Sequence, residues 1–273
     1  MQQRALLVGI NDFGDPRNNL HGCVNDALNL KRFLIERGWP EQNIRVLLDR
    51  DATKVNVISG FRELAAATGP EDVALFGQSS HGTSLPDDNG DEKDHLDEAL
   101  CCADCLTGPS FAAGCIRDDE IAAIVAGIPR GAAFLMWADA CHSGDLERDP
   151  ERRPKFLAPP DPLPFGGLVN QLRALRRRRR GEIILPDTHA EVLLSGCAAN
   201  QTSADAYEDG QFQGAFTWAM LKALRAHPRA TLSDAHAECL RLLEAHGYSQ
   251  TPQLEGSRGH LGAIVFPPLA VAA

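Results

Sequence analysis

The chain is 273 residues long, 44 % hydrophobic, and carries a formal net charge of −10. That length can bury a full core, as one large α/β domain or two small ones, and the acidic balance argues against nucleic acid as the main partner while suiting a basic one. No apolar run approaches the ~18 residues that span a bilayer, and the run after Met1-Gln2-Gln3-Arg4 is too short for a secretory signal and lacks its cleavage site. Eight cysteines, at 23, 101, 102, 105, 115, 141, 197 and 239, sit without framework spacing, so the expectation is a cytoplasmic protein with reduced thiols and no membrane partner.

In chain order the pattern alternates strand and helix. Residues 5–10 read as the first strand, and 25–37 as a helix with Ala27, Leu30, Phe33 and Leu34 on one face. Residues 43–48 read as a strand, 53–67 as a helix carrying Val57, Phe61 and Leu64, and 72–78 as the third strand. A short helix over 118–126 has acids in its first turn, where the macrodipole favours them. Strands follow over 132–139 and 192–197, helices over 214–226 and 231–246, and a last strand over 262–266. This order predicts right-handed crossovers and an α/β fold with a mostly parallel central sheet and helices on both faces. Residues 84–95 read as an acidic loop. Residues 145–187, rich in proline at the start and arginine at the end, read as a long irregular segment.

Two apolar runs end abruptly in reactive side chains followed by glycine: Phe76-Gly77-Gln78-Ser79-Ser80-His81-Gly82 and Trp137-Ala138-Asp139-Ala140-Cys141-His142-Ser143-Gly144. Short buried strands deliver residues to the carboxyl edge of a parallel sheet, where ligands bind. A thiol beside a base there is the minimum kit for nucleophilic acyl transfer. Cys141 is the expected nucleophile and His81 its base and later acid, with His142 as the rival base. The backbone N–H groups of Gly82 and Cys141 are the natural pair to hold an oxyanion. Asp139, two residues before Cys141, shares its face of the strand.

Further blocks extend the pattern: Leu7-Val8-Gly9-Ile10-Asn11, Leu20-His21-Gly22-Cys23-Val24-Asn25-Asp26-Ala27, Asp97-Glu98-Ala99-Leu100, Asp118-Asp119-Glu120-Ile121, Ser203-Ala204-Asp205-Ala206, Gly214-Ala215-Phe216-Thr217 and Gln250-Thr251-Pro252-Gln253-Leu254. Together with Ser79-Ser80-His81-Gly82-Thr83 and Asp139-Ala140-Cys141-His142-Ser143-Gly144, the sequence resembles caspase-type cysteine peptidases of clan CD, family C14, and most the metacaspase and orthocaspase branch. It departs from that branch at Ser80, where glycine is usual, and at Ala140, where serine is usual.

The resemblance implies a single caspase-like (caspase–hemoglobinase) domain over 1–273, with a large-subunit-like part (about 1–148), a Pro/Arg-rich linker (about 149–187) and a small-subunit-like part (about 188–273). It implies an S1 pocket lined by Asp26 and Asp139 with Cys23 and Ser79. Two carboxylates that repel and lose solvation favour a cation between them, hence protein or peptide substrates with arginine or lysine at P1. The arginines Arg176, Arg177, Arg178, Arg179 and Arg180 then read as a processing site of a zymogen, cut by the chain itself or by an upstream activating protease. No organic cofactor is implied. Calcium is implied at Asp97, Asp118 and Asp119, completed by Asp145 or Asp149. A catalytically idle scaffold that binds partners is the alternative, and a metal-stabilised module on Cys102, Cys105, Cys115 and His95 a third reading.

Overall fold

The computed structural model describes residues 1–87, 96–141, 152–160, 182–185, 191–198, 201–263 and 265–267. Strands β1 (Gln3–Gly9), β2 (Ile44–Leu48), β3 (Val73–Ser79), β7 (Ala133–Asp139), β10 (Glu191–Ser195), β13 (Gln253–Ser257) and β9 (Glu182–Leu185) form one seven-stranded sheet, in the order β2-β1-β3-β7-β10-β13-β9. β2, β1, β3, β7 and β10 run parallel; β13 runs antiparallel to β10. The central strands are apolar on both faces because both are covered. One face packs α2 (Lys54–Ala67) and α3 (Asp118–Val125). The other packs α1 (Cys23–Glu36), α4 (Ala215–Ala226) and α5 (Leu232–Ala245). Phe61 of α2 stacks on Phe76 at 4.4 Å and lies 5.8 Å from Phe134. Burying each such ring contributes roughly 1.5–3 kcal/mol.

Local chemistry sets the helix starts. Thr53 and Thr231 cap α2 and α5 with their side chains. α1 begins at Gly22 without a cap of its own; Asn11, just past β1, accepts from the Cys23 and Val24 N–H groups at 2.9 and 3.3 Å. That bond ties the first turn of α1, and Asp26 with it, to the carboxyl end of β1.

Three readings are corrected. The last strand is β13, not 262–266: α6 (Arg258–Leu261) precedes Gly262, and no strand covers the described residues there. β13 carries a single aliphatic side chain, Leu254, and owes its place to pairing with β10 and β9 rather than to an apolar run. The expected loop from 84 begins inside β4 (Gly82–Pro86), which pairs with β5 (Leu96–Cys101) and β6 (Cys115–Arg117) in a small antiparallel sheet; 88–95 lie outside the described residues. The irregular segment 145–187 contains β8 (Arg153–Pro154), paired with the hairpin of β11 (Ala204–Glu208) and β12 (Gln211–Gly214), and contains β9.

Candidate active site

Parallel pairing of β3 and β7 sets Ser79 opposite Asp139 in the last row of the ladder. Everything after those two residues therefore emerges at one edge. The Ser80 N–H donates to the Asp139 carbonyl at 3.4 Å, and the next residues, His81-Gly82 and Ala140-Cys141, lie side by side. The N–H groups of Gly82 and Cys141 converge on one oxygen, the carbonyl of Lys155, at 2.9 and 3.2 Å. Glycine is needed at 82 because a Cβ there would run into the Cys141 carbonyl.

His81 is buried, with its ring 4.8 Å from Phe13. Nε2 lies 2.7 Å from the Asn18 carbonyl, which can only accept, so Nε2 carries the proton. Nδ1 is then an unprotonated, buried nitrogen that makes no hydrogen bond among the described residues. Burial pushes the imidazole pKa down to about 4, and the Lys155 and Arg153 charges add to this; the Asn18 and Lys155 carbonyls oppose it. The ring is neutral near pH 7. Cys141 is fully buried, its Sγ donating to the Ser203 carbonyl at 3.3 Å and accepting from the Ser203 N–H. No hydrogen bond joins Sγ to His81 among the described residues. His142 lies outside them.

The anionic pocket is occupied by the chain itself. Lys155, with its side chain 0 % exposed, places Nζ 2.9 Å from Asp26 Oδ2, 3.0 Å from Asp139 Oδ1 and 2.9 Å from Ser79 Oγ. Ser79 Oγ in turn donates to Asp26 at 2.7 Å. Cys23 is buried alongside, its thiol pushed up by burial and drawn back by the Lys155 charge. All four residues expected to line S1 are thus brought together. Burial raises the Asp26 pKa to about 6, against the pull of Lys155 and with the repulsion of Asp139. Burial would neutralise Lys155, but Asp139 and Asp26 hold its pKa well above the usual lysine value. The pair of carboxylates and the ammonium satisfy one another, as buried charges must.

Four residues of this pocket carried no role in the sequence reading. Gly214 donates its N–H to Asp26 at 2.8 Å, and a Cβ there would collide with Asp139 and Lys155 Nζ. Thr217 donates to Asp139 Oδ2 through N at 3.1 Å and Oγ1 at 2.7 Å, and Ser203 Oγ donates to Asp139 Oδ1 at 2.7 Å. The signal for these three lay in blocks whose positions, not roles, were legible. Lys155 had no signal beyond being a lone lysine among prolines and arginines.

The other expected sites are less complete. Asp97 is buried and ion-paired with Arg117. Asp118 and Asp119 open α3, and burial raises the Asp118 pKa to about 6, helped by Glu98, Asp97 and Asp119. Asp149 and Arg176 to Arg180 lie outside the described residues. Among the described residues no three His, Cys, Asp or Glu side chains are arranged to hold a metal ion, and Asp97 is paired with the Arg117 guanidinium; Asp145 and Asp149, which would complete the expected calcium site, lie outside those residues. Cys101 at the end of β5 and Cys115 at the start of β6 bring their sulfurs within 3.9 Å; hydrogen bonds from Cys101 and Cys115 pull the Cys105 thiol down to about 5.

A thiol and an imidazole at the carboxyl edge of a parallel sheet, with two amides aimed at one carbonyl oxygen, are the groups that thiol-dependent acyl transfer uses, and an anionic pocket lies beside them. The chain belongs to the caspase-domain family, peptidase C14, whose profile matches residues 2–259, and it is a metacaspase-like cysteine peptidase. It is 33 % identical to Metacaspase-1 of Scheffersomyces stipitis over 94 % of this chain and 71 % of that protein. It is 31 % identical to Metacaspase-1 of Mycosarcoma maydis over 94 % and 70 %. A Geobacter sulfurreducens protein of known structure superposes with a TM-score of 0.69 at 25 % identity, covering 99 % of this chain and all of that one. Caspase-1 from Spodoptera frugiperda shares the fold, with a TM-score of 0.55 at 12 % identity over 95 % and 92 % of the two chains.

Proposed function

We propose that this protein is an endopeptidase that cleaves after lysine or arginine, with Cys141 as nucleophile and His81 as its proton-transfer partner. The observation that carries the specificity is the ammonium of Lys155 held between Asp26 and Asp139. A guanidinium can reach the same two carboxylates with bidentate geometry. An aspartate side chain would bring a third negative charge into a buried site and be rejected.

The chemistry runs on the chain's own groups. Nδ1 of His81 is the basic nitrogen, because Asn18 holds the proton on Nε2. It takes the Cys141 proton, and the thiolate attacks a carbonyl whose oxygen rests on the Gly82 and Cys141 amides. Losing one such donor costs on the order of 3–4 kcal/mol in the transition state. His81 then returns the proton to the leaving amine. Processing between the two subunit-like parts, including a cut among Arg176–Arg180 by the chain or an upstream protease, belongs to the same reading. No described helix is long and apolar enough to cross a membrane, and a cytoplasmic site of action is part of the proposal.

Fluorogenic peptides ending in lysine, arginine or aspartate test it. Turnover of the first two, none of the third, and loss of about 100-fold or more in Cys141→Ala and His81→Ala are expected. Absence of turnover under every condition, calcium included, would favour the idle scaffold.

A further inference from the structure

We infer that residues 152–157 are this enzyme's own first substrate and that the Lys155–Phe156 peptide bond is its self-processing site; the inference rests on reading the site as a lysine/arginine-specific cysteine peptidase. The backbone is engaged on both sides of that bond. Arg153 and Pro154 pair antiparallel with Asp205 and Ala204 of β11. The Lys155 N–H donates to the Ser203 carbonyl at 3.0 Å, the Lys155 carbonyl accepts from Gly82 and Cys141, and the Leu157 N–H donates to the Gly82 carbonyl at 3.0 Å. A loop that merely covered a cleft would have no need to set one carbonyl on the two amides flanking the thiol and the imidazole. Beta pairing of an extended segment, with alternate side chains entering pockets, is how peptides are read.

The side chains fit the same register. Lys155 fills the carboxylate pocket, and Gly214 keeps room for its Nζ. Arg153 donates to the Asn19 carbonyl at 2.9 Å. Arg152 donates to the Gly247 and His246 carbonyls at 2.7 and 3.0 Å and lies over the Tyr248 ring at 4.1 Å. Leu157 is buried on the leaving-group side. Arg152 to Lys155 therefore occupy P4 to P1.

In the step itself, the Cys141 sulfur turns from Ser203 and gives its proton to His81 Nδ1. The S–C bond forms at the Lys155 carbonyl carbon, whose oxygen already sits on the two amides. The C–N bond to Phe156 breaks as His81 protonates the departing nitrogen. Water then hydrolyses the thioester, restoring the Cys141 thiol and leaving Lys155 with a carboxylate and Phe156 as a new N-terminus. Until then the segment blocks any other substrate. External substrates that follow it would be basic at P4 and P3, proline at P2 and lysine or arginine at P1.

Intact-mass and N-terminal analysis of the full chain tests this. Fragments ending at Lys155 and beginning at Phe156 are expected from the wild type, and none from Cys141→Ala. Lys155→Arg should be cut at the same bond. Phe156→Pro leaves the pocket filled and removes no hydrogen bond seen in the structure; it should melt like the wild type yet be cut about 100-fold more slowly or not at all. A separate peptide Arg-Arg-Pro-Lys-Phe-Leu should be cleaved between lysine and phenylalanine. Turnover of lysine or arginine reporters by a chain that stays intact after Lys155, or that is cut only among Arg176–Arg180, overturns this inference and leaves the proposed function standing. Loss of reporter turnover together with self-cleavage overturns both.

Discussion

Asp139 receives Lys155, Ser203 and both donors of Thr217. An amide in its place keeps the shape, loses the charge and turns a donor toward donors. Breaking a buried pair of this kind costs on the order of 3–5 kcal/mol, so Asp139→Asn should lower kcat/KM for lysine and arginine peptides by at least about 100-fold in steady-state assays. His81 makes a second prediction. Its folded pKa of about 4 lies below the unfolded value of 6.5, so the folded state binds fewer protons between those limits. The stabilisation is fully present above pH 6.5 and is lost as pH falls toward 4, by about 3 kcal/mol. Asp26, with its pKa raised, works in the opposite sense from pH 3.8 to about 6. The difference in unfolding free energy between wild type and His81→Gln isolates the imidazole; it should shrink as the pH drops, and a pH-independent difference would contradict the burial account.

At the scale of elements, the pocket is a junction of strand ends and helix starts. β3 delivers Ser79, β7 delivers Asp139, α1 delivers Asp26, and the β12–α4 turn closes the wall with Gly214 and Thr217. Gly214 is the narrowest point because its missing Cβ is the space the ammonium uses. Gly214→Ala should therefore reduce turnover of lysine and arginine reporters by about 100-fold or more while a thermal melt still shows one cooperative transition. Retained activity would mean that the backbone can yield there. Of the elements at this junction, β3, β7, α1 and α4 were readable in the sequence, because their apolar periodicities are local. The small antiparallel sheet, the β11–β12 hairpin and β13 were not, because their strands are short or polar and are held by partners distant in the chain.

Across the whole molecule, the sheet is continuous through the seam between the two subunit-like parts: β7 pairs with β10 over five positions, and β13 and β9 extend it. A cut anywhere between Cys141 and Glu191 severs no part of the β7–β10 ladder. Nicked protein should elute with uncut protein in size exclusion while a denaturing gel separates its fragments; dissociation on cleavage would show that the covalent link, not the ladder and its two apolar faces, holds the parts together.

Local pattern was enough to predict the α/β alternation and the thiol and imidazole at strand ends, since each follows from a run of residues and the place where it stops; the grouping of Asp26 and Asp139 with Ser79 and Cys23 came from the resemblance to metacaspases. Only the tertiary structure decided that the Gly82 and Cys141 amides share one carbonyl oxygen, that Asn18 holds the proton on the far nitrogen of His81, and that the pocket's cation is Lys155 of the same chain. These are distances between residues far apart in sequence. They depend on where a proline-rich segment returns to the sheet edge, and composition carries no information about that return.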